Sequence, residues 1–125
     1  MGYIDVEYYI SHYNHLELDV EEIQMLLDEA SNDIDILTFN RIRRIGFDGL
    51  TNFQKEKLQT VICELMEFHY NNKDFLTSIF NQYEVNGTGF NLQNGNYIII
   101  SGVPILKNTY KKLEQTGLTY RGGRY

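Results

Sequence analysis

Tryptophan is absent from this 125-residue chain, proline and cysteine occur once each, and the first forty residues hold no lysine or arginine. Each scarcity excludes something. A lone Cys63 cannot form an internal disulfide, which suits a reducing compartment. No apolar run approaches the roughly 20 residues of a membrane-spanning helix. The opening Met-Gly-Tyr-Ile-Asp lacks the basic and apolar regions of a secretion signal. The expectation is a protein made in the cytoplasm, with no membrane partner. A single proline leaves no Pro-rich linker, and no internal repeat or low-complexity block is present. The length fits one domain, able to bury roughly two-thirds of its unfolded surface in one core.

What the chain does hold is tyrosine and acid. Ten Tyr and seven Phe supply the large side chains, and tyrosine, rigid with a polar tip, serves contact surfaces as well as cores. The net charge of −6 divides sharply. Residues 1–40 carry ten acids and no base, giving −10; residues 41–125 carry eleven bases against seven acids, giving +4. Read plainly, these are two solvated helix faces of different sign. The alternative is a head-to-tail contact between neighbouring copies, since asymmetry of this kind bears on partners and steering, not on fold.

The pattern predicts an α+β fold, mainly α: a small helical bundle with one β-hairpin, a C-terminal helix and an extended arm. Residues 3–13 form a short helix or an extended lead-in. Asp19, with Glu22 three residues on, caps a helix over about 19–38. Its buried stripe is Val20, Ile23, Leu27, Ala30, Ile34 and Leu37. A connector broken by Gly46 and Gly49 follows. Thr51 and Gln54 form a second capping box, opening a helix over about 51–72 whose stripe is Leu58, Val61, Ile62, Leu65 and Phe68 or His69. Ile79, Tyr83 and Val85 near a period of two, the Asn86-Gly87 and Asn94-Gly95 turn dipeptides, and Tyr97-Ile-Ile-Ile predict a hairpin over about 77–101. Pro104 fits the first turn of a third helix, about 104–116, with Lys107, Lys111 and Lys112 largely opposite its inner side. Gly117 serves as its C-cap. Residues 1–117 make the domain, and 118–125, basic, aromatic and glycine-rich, make a flexible arm.

No catalytic constellation emerges, and no enzyme, cofactor or metal site is expected. His12 and His15, with Asp19 a turn further on, fall short of the three or four protein ligands zinc needs. His69 at a helix end suits the dipole. Cys63, beside Ile62 and near Leu65 with no histidine a turn away, reads as a buried small hydrophobe. Asp28, Glu29, Asp33 and Asp35 read as a solvated face, because glycosidase or metal chemistry needs carboxylates converging from separate elements. No phosphate-binding loop or nucleophile elbow is present. Arg41, Arg43, Arg44 and the C-terminal bases could touch DNA nonspecifically, although an acidic chain is not expected to read sequence.

Three stretches resemble a known family. They are Asp28-Glu-Ala-Ser-Asn-Asp-Ile-Asp-Ile-Leu-Thr-Phe-Asn-Arg-Ile, Gly46-Phe-Asp-Gly-Leu-Thr-Asn-Phe-Gln-Lys-Glu-Lys-Leu-Gln, and Gln115-Thr-Gly-Leu-Thr-Tyr-Arg-Gly. In order and spacing the chain resembles the small head-tail connector (adaptor) proteins of siphophages and related prophages of Gram-positive bacteria, over roughly Tyr8 to Gly122. The resemblance implies a non-enzymatic subunit of the virion neck, made in the host cytoplasm. It would assemble as a homo-oligomeric ring beneath the portal, extend the DNA channel and present a platform for head-closure (stopper) or tail-completion proteins. It also implies that the C-terminal helix and the segment after it dock onto the portal protein. The portal-binding residues would be Lys107, Tyr110, Lys111, Thr116, Gly117, Leu118, Tyr120 and Arg121. Arg124 and Tyr125 lie outside that pattern and join by residue type, as aromatic and Arg side chains dominate interface energetics. The free protein is expected to be a monomer. Three alternatives stay open: another neck component, a cytoplasmic protein-binding module with no phage role, or an enzyme.

Overall fold

A computed structural model describes residues 3–78 and 96–120 of the chain. Helix starts follow the capping residues closely. The Asp5 carboxylate accepts from the Tyr8 amide at 2.9 Å and opens α1 (Val6–His12). Asp19 accepts from the Glu22 amide at 2.8 Å and opens α2 (Val20–Leu37). Thr51 and Gln54 complete a reciprocal box at the start of α4 (Asn52–Asn71), with bonds of 3.0 and 3.1 Å. Each satisfies amides that the first helical turn leaves without a partner.

Between α2 and α4 the chain reverses through Phe39 and Asn40, whose φ angles are +57° and +59°. The expected connector is itself structured, as α3 (Arg41–Ile45) and a 3-10 turn over Phe47–Gly49. Gly46 separates the two at φ +88°, a conformation glycine adopts without strain.

Helix α4 is the centre. Leu58, Val61, Ile62, Cys63, Leu65 and Met66 are all buried, a band wider than one amphipathic stripe. Glu67 reaches α1, His69 lies beside Asp33 of α2, and Glu64 meets Thr109 and Lys112 of the last helix. From α2 the core takes Ile23, Leu27, Ala30, Ile34 and Leu37, as the spacing predicts. Val20 does not join them: the first residue of its helix, it is 59% exposed.

The described β structure runs past the expected end of the hairpin at 101. Strands β1 (Tyr97–Ile100) and β2 (Val103–Leu106) pair antiparallel, Tyr97 opposite Leu106 and Ile100 opposite Val103. The turn is Ser101-Gly102, with φ +52° and +83°, the left-handed pair that a two-residue hairpin needs. Pro104 is therefore a buried strand residue opposite Ile99, not the first turn of a helix. Proline is tolerated there because a two-stranded ribbon asks only alternate amides to pair across it. The last helix, α5, runs Lys107–Glu114 instead of 104–116. Ile79, Tyr83, Val85 and the Asn86-Gly87 and Asn94-Gly95 dipeptides lie outside the described residues. The fold is α+β and mainly α, a helical bundle with one antiparallel hairpin and a C-terminal helix. No described helix is long and apolar enough to cross a membrane.

Two measurements check this core. Ile62→Ala should cost about 3 kcal/mol in urea unfolding, whereas Met25→Ala, at an exposed site, should stay within about 0.5 kcal/mol of wild type. Burial pushes the Cys63 thiol up to about 12, with Glu67 and Glu64 adding to the shift. At pH 8 the folded protein should leave a thiol reagent unreacted, and unfolding should release the thiol.

Candidate functional site

The segment expected to bind a partner begins at the end of α5. The helix stops at Glu114 with Gln115 as its C-cap, earlier than the expected cap at Gly117; Gly117, at φ +78°, lies in the turn that follows, its amide donating to the Glu114 carbonyl at 3.0 Å. Thr116 is buried; its hydroxyl donates to the Leu113 carbonyl at 2.6 Å and accepts from the Leu118 amide at 3.1 Å. Leu118, expected to begin a flexible arm, is instead 5% exposed and part of the core. A leucine side chain gains about 2 kcal/mol by burial, enough to fold the first residue of a glycine-flanked tail back onto the body.

Two long-range hydrogen bonds hold this base. The Gln54 amide nitrogen donates to the Thr116 carbonyl at 3.0 Å, and Arg41 Nη1 donates to the Leu118 carbonyl at 2.8 Å. Gln54 thus does two things at once: its side-chain oxygen caps α4 while its nitrogen ties down the C-terminal segment. The Arg41 guanidinium also lies over the Phe39 ring, 5.2 Å from its centroid. Each of the three sequence stretches contributes to this junction: Phe39 and Arg41 from the first, Gln54 from the second, Thr116 and Leu118 from the third. No family model, curated protein or solved structure matches this chain.

The remaining expected contact residues divide around the junction. Lys107 and Lys111 are exposed on α5, Tyr110 is half-buried against the core, and Tyr120 is 55% exposed just past the anchor. Arg121, Arg124 and Tyr125 lie outside the described residues. Lys107, Lys111 and Tyr120 thus present surface, while Thr116, Gly117 and Leu118 fix the backbone that carries it. Arg41 and Gln54 were missed as positioning residues. Arg41 was weighed only as a phosphate contact and Gln54 only as a cap, and neither type signals a partner over 60 residues away.

His12, His15, Tyr9 and Glu67 are held by contacts within the fold. His12 and His15 do not converge: His12 Nδ1 lies 3.0 Å from the Tyr8 carbonyl, and His15 Nδ1 lies 3.0 Å from the Glu67 carboxylate. Glu67 also accepts the Tyr9 hydroxyl proton in a short hydrogen bond. Burial and that carboxylate push the Tyr9 phenol well above its ordinary range. Among the described residues no group of three His, Cys, Asp or Glu could hold a metal ion. An open groove of about 430 Å³ runs between α4 and the hairpin, lined by Phe68, Phe75, Tyr97 and Leu106 with Glu64 and Glu67. Both carboxylates have partners, Glu64 in Lys112 at 2.6 Å and Thr109 at 2.8 Å, Glu67 in Tyr9 and His15.

Arg41→Ala and Gln54→Ala should each remove about 1 kcal/mol of local stability. Hydrogen exchange across 116–120 should accelerate roughly fivefold for each, with exchange in the middle of α4 unchanged. Equal acceleration throughout the chain would refute a local anchor.

Proposed function

We propose that this chain is a structural subunit of a tailed-phage neck, a head-tail connector that works by assembly and performs no chemistry. In this reading it forms a ring beneath the portal protein, extends the DNA channel and offers its far side to a head-closure or tail-completion protein. Contact with channel DNA is nonspecific and electrostatic. The observation that carries the reading is the junction of Arg41, Gln54, Thr116 and Leu118. Two of the three stretches that resemble the connector family are neighbours in sequence and the third lies far along the chain, yet residues of all three close on one another. What they build is a fixed mount for the C-terminal segment, which is the part the resemblance assigns to the portal.

The contact itself falls to the exposed cations of α5, Lys107 and Lys111, and to Tyr120 with the residues after it. Tyrosine and arginine suit that role because they bring large contact area and directed hydrogen bonds. Thr116–Leu118 contribute by position.

Deletion should therefore begin after the buried leucine. A chain lacking 119–125 should melt as the full chain does but lose portal binding in size-exclusion chromatography with the portal protein encoded in the same genome. A truncated chain that co-elutes with portal as fully as the intact one would remove the C-terminal segment from the interface. A genome with no portal gene near this one would count against the neck role altogether.

A further inference from the structure

We propose that His69 is a proton-dependent clasp between α2 and the hairpin, closed while it shares one proton with Asp33 and open once that proton is lost. The geometry fixes one ring nitrogen first. Pro104 has no amide, so its pair with Ile99 cannot exchange two backbone hydrogen bonds across the ribbon. Its carbonyl faces α4 instead, and His69 Nε2 meets it at 2.7 Å. A carbonyl only accepts, so Nε2 carries a proton whenever this contact is made. The other nitrogen, Nδ1, then lies 3.6 Å from Asp33 Oδ2. In a neutral ring it turns a lone pair towards a carboxylate, which repels. With one proton added, the same approach sets an imidazolium beside a carboxylate, or a carboxylic acid against a lone pair. Both attract.

The groups around the ring favour keeping that proton. From α2, Asp33 faces the imidazole, and the exposed Glu29 acts on Asp33 from one turn back. Burial holds the Asp33 carboxyl above its ordinary range, the imidazole pulls it back and Glu29 adds to the rise. β2 brings Val103-Pro-Ile-Leu, which has no titratable side chain, and β1 brings Tyr97, whose ring meets Phe68 beside His69. On α4, Glu64 and Glu67 are taken by α5 and α1, and Lys73, just beyond the helix, lies 5.0 Å over the Tyr70 ring. In an unfolded chain histidine titrates near about 6.5 and aspartate near about 4, so above roughly pH 7 neither holds a proton. The closed clasp holds one there. The folded state thus binds the extra proton, and its stability falls as pH rises. Because β2 runs directly into α5, the clasp also bears on the placement of that helix. It is independent of any neck role.

Imidazole nitrogen NMR on the full-length wild-type chain reads the proton directly. At about pH 7, His69 Nε2 should carry a proton, and Nδ1 should be protonated or strongly hydrogen-bonded. A free Nδ1 lone pair should appear only at higher pH. Over the same rise, from about pH 6 to about pH 9, hydrogen exchange across 98–106 should accelerate about tenfold relative to the middle of α4, after correction for base catalysis. His69→Gln keeps an N–H for the Pro104 carbonyl but does not titrate. Asp33→Asn gives Nδ1 a neutral donor that attracts the unprotonated ring. Both variants should hold relative hairpin exchange within about twofold across that range. A bare Nε2 near neutral pH, an Nδ1 lone pair already free there, or hairpin exchange that follows pH alike in wild type and both variants would each overturn the proposal. The nitrogen reading needs no variant, so it decides even where a substitution unfolds the chain.

Discussion

Helix α4 is the post to which α1, α2, β2, α5 and the C-terminal segment are fixed, and they are fixed by polar side chains as well as by burial. Gln54 holds the C-terminal segment, Glu64 holds α5 through Thr109 and Lys112, Glu67 holds α1 and the loop after it through Tyr9 and His15, and His69 holds β2 through the Pro104 carbonyl. A carbonyl only accepts, so His69 Nε2 carries the proton in that 2.7 Å bond. Burial of the leucines, isoleucines and Met66 supplies most of the stabilisation, but it has no direction: an apolar helix face packs nearly as well a turn further along. Hydrogen bonds from a half-buried carboxylate do have direction, and breaking one leaves a desolvated charge at a cost of about 1–3 kcal/mol. Together they set the register of each element on α4.

That division explains which parts of the fold were legible in the sequence. The helices over 20–37 and 52–71 announced themselves, because capping is a local interaction and Asp19 and Thr51 meet their partners three residues away. Interior positions such as Ile23, Leu27, Leu58 and Ile62 followed from spacing alone. The failures share a cause: each depended on something distant. Asp35 belongs by spacing to a solvated acidic face, yet it is 4% exposed. It is kept as a buried carboxylate by the Tyr3 hydroxyl, which donates to it, and by Arg43 Nε at 2.9 Å. Neither neighbour is visible from the α2 sequence. Pro104 suits the first turn of a helix and an edge strand alike, and only its pairing opposite Ile99 decides between them. Ser101-Gly102, between Tyr97-Ile-Ile-Ile and Val-Pro-Ile-Leu, was the turn signal that marked the true ribbon.

The same distance problem affects charge. Counted by segment, the first forty residues look like a uniform acidic block, but the structure divides them. Asp35 and Asp33 turn inward, the latter 3.6 Å from His69 with its carboxyl raised, mainly by burial and partly by Glu29, against the opposing pull of the imidazole. Glu21, Glu22 and Glu29 remain outside. On the basic side Arg43 and Lys112 neutralise buried or half-buried acids, and Arg44, Lys107 and Lys111 stay at the surface. The surface field is thus carried by fewer charges than the sequence totals suggest, gathered at particular corners.

The anchored base of the C-terminal segment bears on how strongly such a segment could bind. Ordering a backbone residue costs about 1–2 kcal/mol, so a tail free from residue 116 onward would lose about 3–6 kcal/mol on Thr116, Gly117 and Leu118 before making any new contact. Here those three residues are already ordered by Gln54, Arg41 and the burial of Leu118. The cost is met during folding, so the proposed portal contact would have less entropy to overcome. The same anchor sets position: Arg41 holds the Leu118 carbonyl beside the α2–α3 reversal, and this fixes where Thr119 and Tyr120 follow.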